Sequence, residues 1–412
     1  SSRPRSRSFS KRGGAPSRFP TAGAMPPTVQ ELLPKLSRKD ADPRRRAEAA
    51  VELGKLGPDA GKAVPALLQA LREEDYGLRC GAAEALGLIG DAAACAVPQL
   101  CKAAEEDSKV VVRCAAAMAL GNLGEKAEEG VPLLGRALGD EVMLVRYMAV
   151  GALGAIGPKA AGAVDKVAAA IKDEDSGVRN GAQWALARIG AKAVPALLQM
   201  AKSEEEDLQI KGLETLGHIG KDAEVAVPEL RAACRGDPGP LLHSAALSAI
   251  GSIGPAAVEA ALPELLSALE HGEHFVRKAA VEALGKTDQA AAKASTAEAV
   301  VEALAKALKD EHLEVRMAAA HSLGALGPAA APAVPALCEA MQSDWFQPVR
   351  AVAAIACGNL GPAAASAAIP LVAELQHHPE QWIQVVAQEA LYKLRGRVWR
   401  VLHYCKDSCS VM

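Results

Sequence analysis

Arginine and acidic residues recur together along most of this chain, and they are its most numerous candidates for chemistry. Eight similar segments each open on an arginine: Arg46, Arg79, Arg113, Arg146, Arg179, Arg277, Arg316 and Arg350. An acid often stands six residues before a segment opens, at Asp40, Glu73, Asp107, Asp140, Asp173, Asp237, Asp310 and Asp344. Such pairs can form charge-assisted hydrogen bonds or serve acid–base catalysis. Because catalysis needs one site and not eight, the pattern predicts a structural arginine ladder that links neighbouring segments.

Other catalytic and metal-binding signals are scarce. His271 and His274 fall in one predicted turn and His377 and His378 in another, with no cysteine or carboxylate recurring at zinc-like spacing. The chain has no glycine-rich phosphate loop, no nucleophile elbow and no triad pattern. Nine irregularly spaced cysteines fit a reducing compartment. We therefore expect no catalysis, cofactor or metal.

The segments that carry the arginines form a repeat. We call the first residue of each segment the anchor; in the sixth, seventh and eleventh segments it is Gln209, His243 and Gln384. Successive anchors are 33, 34, 33, 33, 30, 34, 34, 39, 34 and 34 residues apart. A period in this range is the signature of a solenoid of stacked units. The chain is predicted to be an all-α array of about eleven helix pairs.

Within each unit the pattern predicts helix, short turn, helix. Proline sits in the first turn of the first helix, where its missing N–H costs nothing. These prolines are Pro65, Pro98, Pro132, Pro195, Pro228, Pro263, Pro335 and Pro370. The second helix is predicted to open at the anchor. Residues 317–338 and 351–373 contain no Asp, Glu, Lys or Arg and are long enough for membrane spans; the repeat places a turn inside each, so we interpret neither as a span.

Small residues recur at fixed positions of the second helix. Three residues after the anchor, alanine stands in ten units; eight after it, glycine stands in nine. Glycine inside a helix costs roughly 1 kcal/mol relative to alanine, so its regular use indicates close approach of the neighbouring unit. Glycine also recurs eleven residues after the anchor, where it suits a helix C-terminal cap.

A proline, an aspartate eight or nine residues later and Val-Arg six residues after that resemble the HEAT-repeat family. The recurrent Ala-x-x-Ala-Leu-Gly-x-(Ile/Leu)-Gly is similar to a HEAT-like subgroup named after phycobilisome bilin lyases. The resemblance covers roughly residues 28–396. It implies a right-handed α-solenoid with first helices on the convex face and second helices lining the concave face. It also implies a protein-interaction scaffold or adaptor, with a bilin or chromophore lyase or lyase-chaperone as the alternative. The His-Glu dipeptides of HEAT-like iron hydroxylases are absent.

One group of variable residues predicts a partner-binding surface. Positions one and five after each anchor lie on one helical face, and in the third to fifth units they include Cys114, Met118, Tyr147 and Trp184. In a chain with 3% aromatic residues, this cluster predicts a hot spot for a protein partner on the concave face. The alternative is that Tyr147 and Trp184 fill local gaps. No nucleic acid is predicted as a partner.

The repeat is irregular in two places. Two neighbouring anchors lack arginine, and the shortest spacing and a Gly-Asp-Pro-Gly-Pro turn at 236–240 lie nearby. We expect a kink or soft joint around residues 205–245. An insertion around residues 286–296 is predicted to form an exposed loop.

Charge divides the chain into three parts. Residues 1–46 carry +9, residues 47–392 carry −16 and residues 393–412 carry +4. We expect a disordered basic leader at 1–26, the solenoid at 27–396 and a basic tail at 397–412. The basic ends suit an anionic membrane surface or an acidic partner, or are simply solvated.

The tail also matches a lipidation signal. Cys409-Ser-Val-Met fits a C-a-a-X box whose terminal methionine favours farnesyl, and Cys405 is a candidate for palmitoylation. A lipid and the nearby basic residues together would tether the array to a cytosolic membrane surface. The alternatives are a chance ending and a plastid protein with a transit peptide at 1–24, since prenylation occurs in the cytosol. We expect a cytoplasmic, membrane-associated protein.

Overall fold

The computed structural model describes residues 27–38, 41–235, 239–287 and 294–396, and within these ranges the secondary structure is helical, without strands. The α-helices are α1 (Val29–Ser37), α2 (Pro43–Lys55), α3 (Val64–Ala70), α4 (Tyr76–Ile89), α5 (Val97–Glu106), α6 (Val110–Asn122), α7 (Val131–Ala137), α8 (Met143–Ile156), α9 (Val164–Ala169), α10 (Ser176–Ile189), α11 (Val194–Met200), α12 (Glu206–Ile219), α13 (Val227–Ala233), α14 (Pro240–Ile253), α15 (Pro255–Ala260), α16 (Leu262–Ala268), α17 (His274–Leu284), α18 (Ala294–Ala307), α19 (Leu313–Leu326), α20 (Val334–Ser343), α21 (Gln347–Leu360), α22 (Ala365–Leu375) and α23 (Gln381–Leu394). They form eleven units, each ending in a second helix that carries the anchor, which confirms the predicted all-α solenoid.

Each second helix begins three residues before its anchor, and not at the anchor as predicted. In α4, for example, the helix starts at Tyr76 and Arg79 follows. Capping explains the difference: the Asp75 carboxylate accepts a hydrogen bond from the N–H of Leu78 at 2.8 Å. Asp175 caps α10 in the same way through the N–H of Val178.

Nine of the eleven second helices end at or just before the capping glycine that the sequence places eleven residues after the anchor, and α17 and α23 are the exceptions. Gly90, Gly327 and Gly361 have φ of +72°, +60° and +66°, a region that favours glycine. A short 3₁₀ segment follows, and the next first helix opens on a proline in its first turn, as at Pro65 in α3. Pro370 is the exception, because α22 begins five residues before it and the proline lies inside the helix.

Three helical stretches are long and apolar enough to cross a membrane by length and composition: Tyr76–Glu106, Leu313–Ser343 and Gln347–Leu375. Within the 18-residue apolar segment of each stretch, 56%, 44% and 44% is buried inside the protein, respectively. A glycine with positive φ divides each stretch into two helices, at Gly90, Gly327 and Gly361. The turns predicted inside the two uncharged runs are therefore confirmed.

The glycines eight residues after the anchor set the curvature of the array. A Cβ added to Gly87 would lie 2.7 Å from the Cα of Ala119 on the next second helix, and one on Gly324 would lie 2.9 Å from the Cα of Ala356. Neighbouring second helices thus approach more closely than neighbouring first helices, which make far less contact with one another. The stack bends towards its second helices, and we call their exposed side the inner surface.

Parts of the predicted organisation lie outside the described residues. These are the leader at 1–26, Asp40, residues 236–238 of the predicted turn with Asp237, residues 288–293 of the insertion, and the tail at 397–412 with Cys405 and Cys409. The lipidation and the domain limits therefore stay predictions.

Candidate functional site

The arginine ladder joins consecutive units. Arg79 donates from Nε and Nη2 to the two carboxylate oxygens of Asp107, at 2.7 and 2.9 Å, and from Nη1 to the carbonyl of Glu73 in its own unit. The acid is the one that precedes the next anchor, so each bond crosses a unit boundary. The same link is made by the pairs Arg46–Glu73, Arg113–Asp140, Arg146–Asp173, Arg277–Asp310 and Arg316–Asp344.

In two of these pairs, Arg146–Asp173 and Arg277–Asp310, the hydrogen bonds favour the charged forms of the side chains. The hydrogen bond from Arg146 lowers the pKa of Asp173, and burial opposes this effect. The bond to Asp310 raises the pKa of Arg277, again against burial. Five boundaries repeat one bidentate geometry, and the Arg46–Glu73 boundary has a single hydrogen bond. This repetition along the array, rather than at one cleft, gives the ladder a structural role.

Two of the eight arginines make no such link among the described residues, contrary to the prediction. Arg179 would meet Ser203 at the acid position. It keeps the Nη1 bonds to carbonyls of its own unit, those of Asp173 and Glu174, and makes no bond to any described residue of the next unit. Arg350 would meet His378 and instead donates from Nε to the carbonyl of Met341 at 2.6 Å. The reason is that the next unit supplies no acid in either place.

The boundary after Arg179 lacks more than an ion pair. The position that elsewhere holds a close-contact glycine is Ala187, and the alanine that should face it is the buried Thr215. The 3₁₀ segment that follows α10 has four residues, Gly190–Ala193, where most have seven. As a result α10 and α12 make the smallest contact of any consecutive second helices that the structure describes. The predicted soft joint therefore has its strongest support at the α10–α12 boundary.

His243 replaces the ladder arginine of the seventh unit. Its ring is 9% exposed and meets the ring of His271 edge-on, with 5.4 Å between the centroids. Its Nε2 is buried and has no hydrogen-bond partner among the described residues. Burial, and then the neighbouring His271, lower the pKa of His243. This boundary holds two imidazoles where others hold a guanidinium and a carboxylate.

We expect acid to destabilise this boundary. A histidine whose pKa is lowered by folding gives stability that is present above its unfolded pKa, about 6.5, and that falls as the pH drops below it. The free energy of unfolding, measured with urea at pH 7.5 and 5.5, should fall further in the wild type than in His243→Gln, which has the anchor of units six and eleven. An equal fall in both proteins would contradict this account.

Three of the four predicted partner-binding residues line one pocket on the inner surface. Met118 on α6, Tyr147 on α8 and Trp184 on α10 form the walls of a cavity of about 620 Å³, which we call the inner pocket. These side chains are 39%, 45% and 49% exposed. Trp184 also packs over Gly154, as the alternative of local gap-filling expects, yet about half of its surface stays exposed.

Cys114, the fourth predicted residue, is 7% exposed and does not line the inner pocket. The pKa of the Cys114 thiol is raised, mainly because the side chain is buried. A cysteine side chain is too short to reach past the packed helices, whereas methionine and aromatic side chains extend beyond them. Cys114 is thus a packing residue.

Glycine creates the inner pocket. Gly151 on α8 stands five residues after its anchor, between Met118 and Trp184 in the neighbouring units, and a Cβ added there would meet no atom within 4 Å. Trp184 lies over Gly154, whose added Cβ would be 2.2 Å from the indole ring. The sequence pattern named the wall residues and missed this floor. The signal that could have revealed it is the glycine at this position in unit four, since units three and five have larger residues there.

Further apolar residues that the sequence reading missed extend the surface towards the N-terminal ends of the same helices. Tyr76, Val111, Met143 and Leu144 are 52%, 50%, 44% and 41% exposed. They stand two or three residues before their anchors, which places them near the inner pocket on the second helices. Exposed apolar residues are thus concentrated on α4, α6, α8 and α10.

The described part of the chain places no group of three or more His, Cys, Asp or Glu residues where they could hold a metal ion. The cysteines within it are free thiols. The inner pocket has no charged residue in its lining. Its geometry therefore suits apolar contact.

The sequence matches a family described as HEAT repeats over residues 29–97, 97–187, 164–251, 227–299 and 289–358. No curated protein matches the chain.

Several solved structures share the fold. The karyopherin Kap121p, bound to the extreme C-terminus of the protein phosphatase Cdc14p, has a TM-score of 0.65 at 15% identity, over 89% of this chain and 45% of that one. Kap95p, from a study of its binding to RanGDP, has a TM-score of 0.60 at 16% identity, over 89% and 56%. The chain thus spans about half the length of these karyopherins. The complex of CpcE and CpcF of phycocyanin lyase from Nostoc sp. PCC7120 has a TM-score of 0.37 at 24% identity, over 61% and 97%, which is too low to support an argument about function.

Proposed function

Since this chain belongs to the HEAT-repeat family, we propose that it is a non-catalytic scaffold that binds a protein partner through the inner pocket. HEAT-repeat solenoids are typical protein-interaction scaffolds. The observation that carries the proposal is the convergence of Met118, Tyr147 and Trp184 around an uncharged cavity on the inner surface. Methionine, tyrosine and tryptophan are the residue types that protein interfaces favour.

The energetics favour a protein over a small solute. Tyrosine and tryptophan at the centre of an interface often contribute about 2 kcal/mol or more each when they are fully covered. The apolar residues around the inner pocket continue along α4, α6 and α8, beyond the cavity itself. A partner that covered them would remove from water a larger apolar surface than one small molecule can reach.

The karyopherins that share the fold also support a protein partner. Kap121p was solved with a segment of another protein, and Kap95p binds RanGDP. Their likeness to this chain establishes the fold alone. We take from them only the class of function, which is the binding of polypeptides by a helical solenoid.

The double substitution Tyr147→Ala and Trp184→Ala tests the proposal. We expect affinity for a partner, identified by affinity purification and then purified, to fall about 100-fold, which corresponds to about 3 kcal/mol. Titration calorimetry measures the loss. Trp382→Ala is the matched control, because Trp382 is 45% exposed and lies on α23, away from the inner pocket. Equal affinities of the double variant and the wild type would overturn the proposal.

A further inference from the structure

We infer that the inner pocket binds an extended polypeptide segment, with one large uncharged side chain over Gly151 and the main chain held by Asn122 and Asn180. The inference rests on the proposed function and specifies the chemistry of the partner. It follows from three features of the inner pocket: its uncharged lining, its unpaired carboxamides and the line on which these residues lie.

The lining selects an uncharged anchor. Charged residues make up 23% of the chain, yet none lines the inner pocket. Transferring an unpaired charge into such a site is strongly unfavourable. Leucine, methionine or phenylalanine would contact Met118, Tyr147 and Trp184 at no such cost. The anchor is therefore a large apolar side chain.

The polar groups of the pocket select an extended main chain. Asn122 and Asn180 line it; both residues are exposed, and neither side chain hydrogen-bonds to another described residue, so solvent can pair with each carboxamide until a partner covers it. A carboxamide offers a donor and an acceptor, the same pair that a free peptide unit presents. A bound helix has already paired its own main chain, so it would cover both carboxamides without partners, at a cost of about 1–3 kcal/mol each. An extended segment pairs with them instead.

The three positions lie on one diagonal of the inner surface. Asn122 stands nine residues after its anchor on α6, Gly151 five after its anchor on α8, and Asn180 one after its anchor on α10. Helix axes about 8–10 Å apart and a rise of about 1.5 Å per residue put the two asparagines roughly 20–23 Å apart. An extended chain spans that distance in about six or seven residues. The anchor of the segment would then sit near its middle.

A random twelve-residue peptide library displayed on phage, selected on the full chain, tests the inference. Clones that also bind Gly151→Trp are removed, because that side chain fills open space and blocks the inner pocket. Gly162→Trp is the matched control, since a Cβ at Gly162 also meets no atom within 4 Å. We expect peptides that share one large apolar residue, bind Gly162→Trp and fail to bind Gly151→Trp.

The main-chain contacts are tested on the selected peptides. Asn122→Ala and Asn180→Ala should each weaken binding about threefold to tenfold, and methylation of a peptide nitrogen three residues from the anchor should do the same. Three results would overturn the inference: apolar residues selected at helical spacing, a charged anchor, or no peptide sensitive to Gly151→Trp. If one of these occurs while Tyr147→Ala with Trp184→Ala still weakens partner binding as predicted, the proposed function stands and only the inference fails.

Discussion

Gly87→Val will lower the free energy of unfolding by about 2–3 kcal/mol, the upper part of the usual range for overpacking a close contact. An added Cβ would lie 2.7 Å from the Cα of Ala119 and 2.9 Å from its Cβ. Neither atom belongs to a flexible side chain, so α4 and α6 must move apart. Because each unit packs only on its neighbours, the loss is concentrated at this one boundary. Urea unfolding followed by circular dichroism measures the effect.

Gly151→Val is the matched control for this prediction. It makes the same substitution inside a second helix, at a position where the added Cβ meets no atom within 4 Å. The control should leave stability within about 0.5 kcal/mol of the wild type, as surface substitutions usually do. Equal destabilisation by the two substitutions would show that close approach is not the role of the recurrent glycine.

Restoring the regular boundary between α10 and α12 is predicted to have the second large effect. The triple variant Ala187→Gly, Ser203→Asp and Thr215→Ala supplies the close-contact pair and the acid that other boundaries have. We expect the new bond to Arg179 alone to stabilise the boundary by about 1.5–3 kcal/mol, the range for hydrogen bonds to charged groups. Hydrogen exchange in α12 should slow. We also expect the wild type to unfold in two steps and the triple variant in one.

Adding Arg179→Gln to the triple variant is the control, because it removes the partner of the new aspartate. The gain from Ser203→Asp should then disappear, while the gain from closer packing remains. If the triple variant exchanges hydrogen in α12 as fast as the wild type, the boundary is not a soft joint.

The architecture could be predicted because the sequence pattern of one unit recurs eleven times. Comparing the copies separates the positions that recur at most boundaries, such as those of Gly87 and Asp107, from the positions that vary. The bonds of each anchor still depend on the next unit: the chain opposite Arg179 and Arg350 lacks an acid, and these two arginines donate only to carbonyl groups among the described residues. Pro370 also departs from the repeat pattern: α22 starts five residues before it, so the proline lies inside the helix and not in its first turn.

The wall residues of the inner pocket could be predicted from the sequence, but the cavity itself could not. Periodicity places Met118, Tyr147 and Trp184 on exposed faces of their helices, and the low aromatic content makes them stand out. It cannot say that Cys114, on the same face, is covered by its neighbours. Nor does it show that Gly151 leaves a cavity, because that cavity is bounded by three helices whose spacing is a property of the packed array.

Site-specific photo-crosslinking to the purified partner tests the central claim most directly. A crosslinking residue replaces Met118 on α6 in one protein and Lys102 on α5 in another; both belong to the third unit, and the Lys102 side chain is 73% exposed. We predict that the partner crosslinks at position 118, that Gly151→Trp abolishes this crosslink, and that position 102 gives none. Crosslinking at position 102 with none at position 118 would contradict binding at the inner pocket.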